Sequence, residues 1–235
     1  MRKLLPATIV SFTLLIGAAS VHAGLFYTGL LTPSQTPDQQ GWKYLRTRTS
    51  TAPSATATRR GTVLDSGNIK NYAGYFFQTP FKLDRNAGYN VSFSVEIKSE
   101  SHSKDDRAGF SIIAVSDQLT GETQPFALEL GFWTNRIWAY NANATRGEGV
   151  SINTQAGMQS YILYIKGNQY QLFTTGSTNP ILKGSLRQYT GYTAPAGFPN
   201  PYKTPNLLFM GDDTTSATAQ VTIARLYATP IVPRP

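Results

Sequence analysis

Apolar and polar residues alternate with a period of two along much of this chain, which is the pattern of half-buried β-strands. The clearest stretch covers residues 88–98, whose alternating apolar positions are Tyr89, Val91, Phe93, Val95 and Ile97. The residues between them are mostly Asn, Ser and Glu. We therefore predict a strand with one face in a core and the other face toward solvent or a ligand.

Other strands are predicted by short apolar runs between turn residues. Residues 108–115 are almost uniformly apolar, which predicts a central strand. Residues 207–210 and 219–227 are the last two predicted strands. Two hairpins are predicted, one pairing 126–133 with 136–140 and one pairing 158–166 with 169–174. Segments 47–59 and 189–205 are rich in Ser, Thr, Pro or Gly, and we predict loops there, the second at an end of the fold.

About a dozen short strands without crossover helices predict an all-β fold, a two-sheet antiparallel sandwich of jelly-roll type. The chain shows no internal repeat and no composition change that marks a boundary. Residues 24–235 are therefore predicted to form one β-sandwich domain.

The first 23 residues have the composition of an export signal. Arg2 and Lys3 precede an apolar run over residues 4–19, and small residues at 21 and 23 suit a signal peptidase. We expect a secreted or periplasmic protein. No second apolar run reaches the ~18–20 residues of a membrane span, so no transmembrane segment is expected. The chain ends at Pro235 without a hydrophobic sorting tail, which favours release over anchoring.

The net charge of the full chain is +8, and removal of residues 1–23 leaves 19 basic and 13 acidic residues. The basic residues are scattered, with dense patches only at 43–48 and at Arg59-Arg60. This dispersal argues against nucleic acid as a partner. A mildly basic exported surface fits an acidic polysaccharide or an anionic cell surface better.

The chain carries little catalytic chemistry. It has no cysteine, and after cleavage His102 is its only histidine, which argues against a Ser-His-Asp triad and a zinc site. Glu129 lies on a predicted strand, but its neighbours on the same face, Ala127 and Gly131, are not carboxylates. Two interpretations remain open. Glu129 is a hydrogen-bonding residue paired with Arg107 or Arg136, which we favour, or a glycosidase carboxylate assisted by a second acid.

Aromatic and arginine side chains provide a candidate ligand site on the hairpin at 126–140. Trp133, Trp138 and Tyr140 fall within eight residues, and flat rings stack on sugar rings, although packing of at least two of them in a core is the stronger expectation. Arginine offers planar paired donors to hydroxyls or carboxylates. The predicted ligand-binding set is Arg107, Glu129, Trp133, Arg136, Trp138 and Tyr140.

Two acidic pairs, Asp105-Asp106 and Asp212-Asp213, lie at predicted strand ends. Carboxylate oxygens are calcium ligands, so these four residues form a candidate calcium site, the only cofactor suggested by the chain. Neither pair has the spacing of a calcium-loop motif. The alternative for 211–215 is a turn in which aspartate accepts hydrogen bonds from backbone amides.

Several segments in order along the chain resemble the bacterial secreted choice-of-anchor domains, within the concanavalin A-like and laminin-G-like jelly rolls. The most distinctive are ESHSKDDRAGFS at 100–111, ELGFW at 129–133 and GDDTTSA at 211–217, with further matches at 40–44, 73–75, 83–85, 137–139, 147–149 and 205–206. The resemblance implies an exported two-sheet sandwich and no firm activity. The alternating carboxylates of glucanase-type strands are missing.

These observations predict an exported glycan-binding or cell-surface interaction module without catalytic activity, whose partner is a polysaccharide or cell-surface glycan. The alternative is a carbohydrate-active enzyme, either a hydrolase using Glu129 or a lyase using a tyrosine–arginine pair.

We expect export to remove residues 1–23, because the charged start, the apolar run and the small residues at 21 and 23 together match a cleavable signal. Mass spectrometry of the exported protein should find Gly24 at the N-terminus. Exported protein that still begins at Met1 would contradict this.

Overall fold

The structure, a computed structural model, describes residues 24–47, 52–194 and 197–231. The predicted signal at 1–23 lies outside these residues. The described chain contains fifteen β-strands and two short 3-10 helices at Pro37–Gln40 and Pro201–Lys203. The strands are β1 Gly24–Thr28, β2 Lys43–Arg46, β3 Ser54–Thr58, β4 Gly61–Asp65, β5 Ala73–Gln78, β6 Tyr89–His102, β7 Ser111–Val115, β8 Ala127–Trp133, β9 Arg136–Tyr140, β10 Arg146–Ser151, β11 Gln159–Lys166, β12 Gln169–Thr174, β13 Leu182–Ser185, β14 Leu207–Asp212 and β15 Ala217–Pro230.

The strands form two antiparallel sheets, which confirms the predicted all-β sandwich. One sheet has eight strands in the order β13-β12-β11-β6-β15-β4-β3, with β1 added beside β15. The other has seven strands in the order β10-β9-β8-β7-β14-β5-β2. Neighbouring strands often come from distant parts of the sequence, so the core requires long-range pairing such as that between β6 and β15.

The alternation along β6 sets the main core. Tyr89, Val91, Phe93, Val95 and Ile97 are all buried, as predicted, and they face the other sheet. The rings of Phe93 and Tyr161 stack with centroids 5.3 Å apart, and Phe93 meets Phe132 edge-on at 6.0 Å. These contacts join β6 and β11 of one sheet to β8 of the other.

Both predicted hairpins are present. β8 and β9 turn at Thr134 and Asn135, and β11 and β12 turn at Gly167 and Asn168. The predicted loop at 47–59 is wrong in part, because residues Ser54–Thr58 form β3. Their small Ser, Thr and Ala side chains give a weak apolar signal, and pairing with β4 supplies the order instead.

The outer face of the seven-stranded sheet carries a second apolar cluster. Ile113, Trp138 and Phe209 lie on this face and pack with Tyr189 and Tyr202 from the segment between β13 and β14. The described residues of the predicted loop at 189–205 therefore cover a sheet face rather than an end of the sandwich. Apolar side chains on both faces of the central strands require such a cover, since they would otherwise be exposed to water.

Among the described residues, the helices are the two short 3-10 segments, and neither is long or apolar enough to cross a membrane.

Phe93→Ala should lower the free energy of unfolding by about 3–5 kcal/mol, the usual effect of removing a buried aromatic ring. Phe93 is 1% exposed and contacts aromatic rings of both sheets. Urea unfolding should measure the change, with Ser101→Ala as an exposed control on the same strand. An unfolding midpoint equal to that of the control would contradict the assignment of this face to the core.

Candidate functional site

Strand β8 brings Glu129 to the outer face of the seven-stranded sheet. Leu128, Leu130 and Phe132 point into the main core, so the alternate residues point to the opposite face. There Glu129 lies between β7 and the covering segment, and it is only 4% exposed. A carboxyl group at this position has lost most of its water and needs hydrogen-bond partners from the protein.

Hydroxyl groups supply those partners. The Ser111 hydroxyl donates to Oε1 of Glu129 over 2.9 Å, and the Tyr202 hydroxyl donates to Oε2. The backbone N–H of Glu129 donates to the Tyr189 hydroxyl over 3.2 Å. The favoured interpretation of Glu129 as a hydrogen-bonding residue holds, but its direct partners are Ser111 and Tyr202 rather than Arg107 or Arg136.

Glu129 lies at one wall of a cavity of about 110 Å³, which we call the Glu129 pocket. The pocket combines two carboxyl groups, a guanidinium and three phenols with two small residues. Its lining residues are Arg107, Glu129, Tyr140, Ala144, Tyr192, Tyr202, Asp213 and Thr214. The volume suits a few waters or one polar substituent of a larger ligand.

The two carboxyl groups of the pocket have raised pKa values. Burial, followed by the negative charge of Asp213, raises the pKa of Glu129 well above its usual range, against the lowering effect of Tyr202, Ser111 and Arg107. Burial also raises the pKa of Asp213 to about 6, although its own backbone amide and Arg107 stabilise the carboxylate. Glu129 is therefore the group that keeps its proton and Asp213 the one that ionises near neutral pH.

The tyrosines of the pocket are poor bases. Burial raises the pKa of Tyr140 and of Tyr202 well above the usual range, and repulsion from Glu129 in its ionised form raises both further. The Tyr140 hydroxyl accepts a hydrogen bond from the N–H of Ala108 over 3.0 Å. Both phenols therefore stay neutral and act as hydrogen-bonding groups.

Arg107 is held by backbone carbonyls at the edge of the pocket. Its Nη1 donates to the carbonyls of Asp106 and Ala144, each over 2.6 Å, and lies 3.0 Å from the Asp106 carboxylate. These contacts fix the guanidinium near the two pocket carboxyls without consuming all of its five donors.

Trp133 contacts the backbone of Arg107. Its Nε1 donates to the Arg107 carbonyl over 2.7 Å, while the His102 ring stacks on it at 4.0 Å and an interplanar angle of 4°. The Arg146 guanidinium lies 5.1 Å from the Trp133 ring centre. Nδ1 of His102 in turn contacts a carboxylate oxygen of Glu100 over 2.9 Å. Trp133 is thus occupied by protein groups and does not line the Glu129 pocket.

The structure divides the six residues that the sequence suggested as ligand contacts. Arg107, Glu129 and Tyr140 line the Glu129 pocket. Trp138 is fully buried and packs against Tyr140 at 5.6 Å, in agreement with the core expectation for two of the three aromatic residues of this hairpin. Trp133, Trp138 and Arg136 do not line the pocket.

The two acidic pairs have different environments. Asp213 lines the Glu129 pocket, and Asp106 pairs with Arg107. Asp105 is exposed, whereas Asp212 is buried and its Oδ1 accepts from the N–H of Thr214 over 3.0 Å, the turn proposed as the alternative. Within the described parts of the chain, no three acidic or histidine side chains come close enough to hold a metal ion, so the proposed calcium ligands do not converge there.

Four lining residues were not anticipated from the sequence, namely Ala144, Tyr192, Tyr202 and Thr214. The two tyrosines lie in the predicted loop at 189–205, which contains three tyrosines. That clustering in a loop is the one signal that could have identified them, because exposed loops seldom carry so many large aromatic residues.

No family model matches the chain, and no curated protein matches it. Solved structures do resemble it. The carbohydrate esterase vb_24B_21 from Shiga toxin-encoding bacteriophage phi24B has a TM-score of 0.58 at 13% identity, over 90% of this chain and 100% of the other. A protein of unknown function with a galectin-like fold from Bacillus subtilis has a TM-score of 0.52 at 10% identity, over 91% and 100%. A sialidase has a TM-score of 0.52 at 12% identity, over 88% of this chain and 19% of its own.

At these identities the likeness concerns the fold alone. It supports the two-sheet jelly-roll sandwich that the sequence predicted. The finer resemblance to choice-of-anchor domains stays a prediction.

Asp213→Asn should change how stability depends on pH. A folded-state pKa near 6, above the ordinary 3.8, means that the folded protein binds this proton more tightly than the unfolded chain. The contribution of Asp213 is therefore fully present below about pH 4 and is lost as the pH rises through 6. Urea unfolding between pH 4 and 7 should show wild type losing stability relative to Asp213→Asn over this interval.

Asp105→Asn is the matched control, since it removes the same charge from an exposed position. It should follow the pH dependence of wild type. Parallel curves for wild type and Asp213→Asn would show that Asp213 is not desolvated as the pocket requires.

Proposed function

We propose that the protein is an exported glycan-binding module and that its ligand contacts the Glu129 pocket. The observation that carries this proposal is the convergence of Arg107, Asp213 and three phenols in one concave site on a sheet face. Sugars present pairs of hydroxyl groups, which suit carboxylate acceptors and guanidinium donors. They also present small apolar ring faces, which suit tyrosine rings.

Each group has a distinct part in this proposal. Arg107 donates paired hydrogen bonds to ring hydroxyls or to a uronate carboxylate, and Asp213 accepts hydrogen bonds from hydroxyls. Tyr192 is a half-buried lining residue and offers both a ring face and a hydroxyl. Glu129 lies too deep to meet more than one substituent of the ligand, since it is 4% exposed.

The structural neighbours are compatible with this proposal without establishing it. Two of them are named for action on carbohydrates, as an esterase and as a sialidase. Their identity to this chain is too low to transfer a site, so the proposal rests on the pocket.

A second candidate function, glycoside hydrolysis, is favoured by one observation: two carboxyl groups with raised pKa values share the pocket. Glu129 would donate its proton to the leaving glycosidic oxygen while Asp213 takes a proton from the water that attacks the sugar carbon. The lyase alternative with a tyrosine base is weaker, because the pKa of Tyr140 lies well above neutral pH.

A glycan array should identify an oligosaccharide bound by the exported protein, and calorimetry with that oligosaccharide should then locate the site. Arg107→Ala should weaken binding by about 1–3 kcal/mol, the range for a lost charge-assisted hydrogen bond. Asp213→Asn tests the same pocket from the acceptor side. Lys104→Ala removes a neighbouring cation outside the pocket and should bind like wild type. Equal affinities for all four proteins would refute this location.

The same oligosaccharide, in polymeric form, separates binding from hydrolysis. Release of reducing ends by wild type and its loss in Glu129→Gln, with binding retained, would replace the binding module by a hydrolase. Absence of turnover with intact binding supports the binding module.

A further inference from the structure

Three arginines and the exposed Leu30 line one cleft on the outer face of the eight-stranded sheet, on the opposite side of the sandwich from the Glu129 pocket, and Leu31 is the next residue in the chain. Arg59 and Arg60 form the turn between β3 and β4, and Arg225 lies on β15. Leu30 and Leu31 follow β1 and are 53% and 42% exposed. Among the described residues they are the only large apolar side chains this exposed. We call this set the arginine–leucine patch.

Close backbone packing holds the patch together. A Cβ on Gly29 would lie 2.3 Å from Cα of Gly61, and a Cβ on Gly61 would lie 2.2 Å from the carbonyl oxygen of Ile223. Gly61 also has a φ of +132°, which side chains rarely allow. The N–H of Gly29 donates to the carbonyl of Ala224 over 2.8 Å. The two glycines thus allow the leucine turn, the arginine turn and β15 to touch directly.

The patch surrounds a shallow cleft of about 320 Å³. Ser94 and Ser160 line it, and their hydroxyl oxygens lie 2.7 Å apart. Leu30, Met158 and Ala224 add apolar surface beside the arginines. The cleft therefore presents positive charge, hydroxyls and apolar groups together.

The positive charge of the patch is only partly neutralised by neighbouring carboxylates. Arg60 lies 3.0 Å from Oε2 of Glu96, and Lys98 lies 2.5 Å from Oε1 of the same carboxylate. Arg59 and Arg225 have no carboxylate partner within the described residues. Glu96 therefore offsets one positive charge of four, namely those of the three arginines and Lys98. The remaining positive charge attracts anions.

We propose that the arginine–leucine patch docks the protein on an anionic lipid surface. The arginines bind headgroup phosphates, for which their paired donors are suited, and the two leucines enter the interface between headgroups and acyl chains. The exposed leucines favour a lipid surface over a soluble polyanion as the ligand. A sulfated or uronate polysaccharide would use the arginines but gains nothing from apolar side chains held out in water.

This inference is independent of the proposed glycan binding, because the two sites occupy opposite outer faces of the sandwich. A protein docked through the patch would present the Glu129 pocket to the surrounding solution. The two sites together would join a lipid surface to a glycan.

Vesicle co-sedimentation tests the proposal, using exported protein whose N-terminus has been verified by mass spectrometry. The probes are vesicles of equal phosphatidylglycerol and phosphatidylcholine, and vesicles of phosphatidylcholine alone. Wild type should bind the anionic vesicles and not the neutral ones, and added salt should weaken binding. Arg59→Ala with Arg225→Ala should reduce the affinity by about fivefold per arginine. Leu30→Ser with Leu31→Ser should weaken it at every salt concentration.

The control is Lys43→Ala with Lys203→Ala, which removes two exposed cations on the side of the seven-stranded sheet and should bind like wild type. Unchanged melting temperatures establish that each variant is folded, and Asp213→Asn should bind vesicles normally. The proposal is overturned if wild type does not bind anionic vesicles, or if the arginine variant binds like the control. A third result also overturns it: the arginine variant loses binding to dextran sulfate, and the leucine variant binds anionic vesicles as well as wild type does. That result would identify a site for an anionic polysaccharide.

Discussion

The candidate site depends on one constraint: the central strands of the seven-stranded sheet are apolar on both faces. The inner face packs against the other sheet, and the outer face would expose Ile113, Trp138 and Phe209 if it were left bare. Tyr189 and Tyr202 of the segment between β13 and β14 cover it. Tyr192 and Tyr202 of this segment line the Glu129 pocket together with Asp213 and Arg107.

The same cover determines the chemistry of the pocket. Removing water from Glu129 favours its neutral form, and the nearby Asp213 adds to that preference because two adjacent carboxylates repel each other. Arg107 acts against both effects and keeps the second carboxyl able to ionise near neutral pH. One neutral and one titrating carboxyl can recognise hydroxyl groups, and the same division of protons is required for acid–base cleavage. Measurement of turnover separates these two functions.

The two outer faces of the sandwich have different surfaces although both sheets share one core. The outer face of the seven-stranded sheet is apolar and covered, with acids at its open edge. The outer face of the eight-stranded sheet carries Ser92 and Ser94 beside cations, and within the described residues no comparable aromatic segment covers it. The charge of +8 is a bulk property of the full chain, and the positions of Arg59 and Arg225 concentrate part of it on one side.

The local sequence pattern determined those strands in which apolar and polar residues alternate strongly. The buried face of β6 and the turn at Thr134 and Asn135 follow from residues adjacent in sequence, since side-chain alternation and turn chemistry are local properties. The sequence also identified Glu129, Arg107 and Tyr140 as polar groups on or beside strands. It missed β3, whose small side chains pack weakly, and it missed the covering segment. Pairing of distant strands brought Asp213 beside Glu129 and Arg225 beside Arg59, and only the tertiary structure decides such neighbours because they are separated by many residues and joined by the register of the sheets.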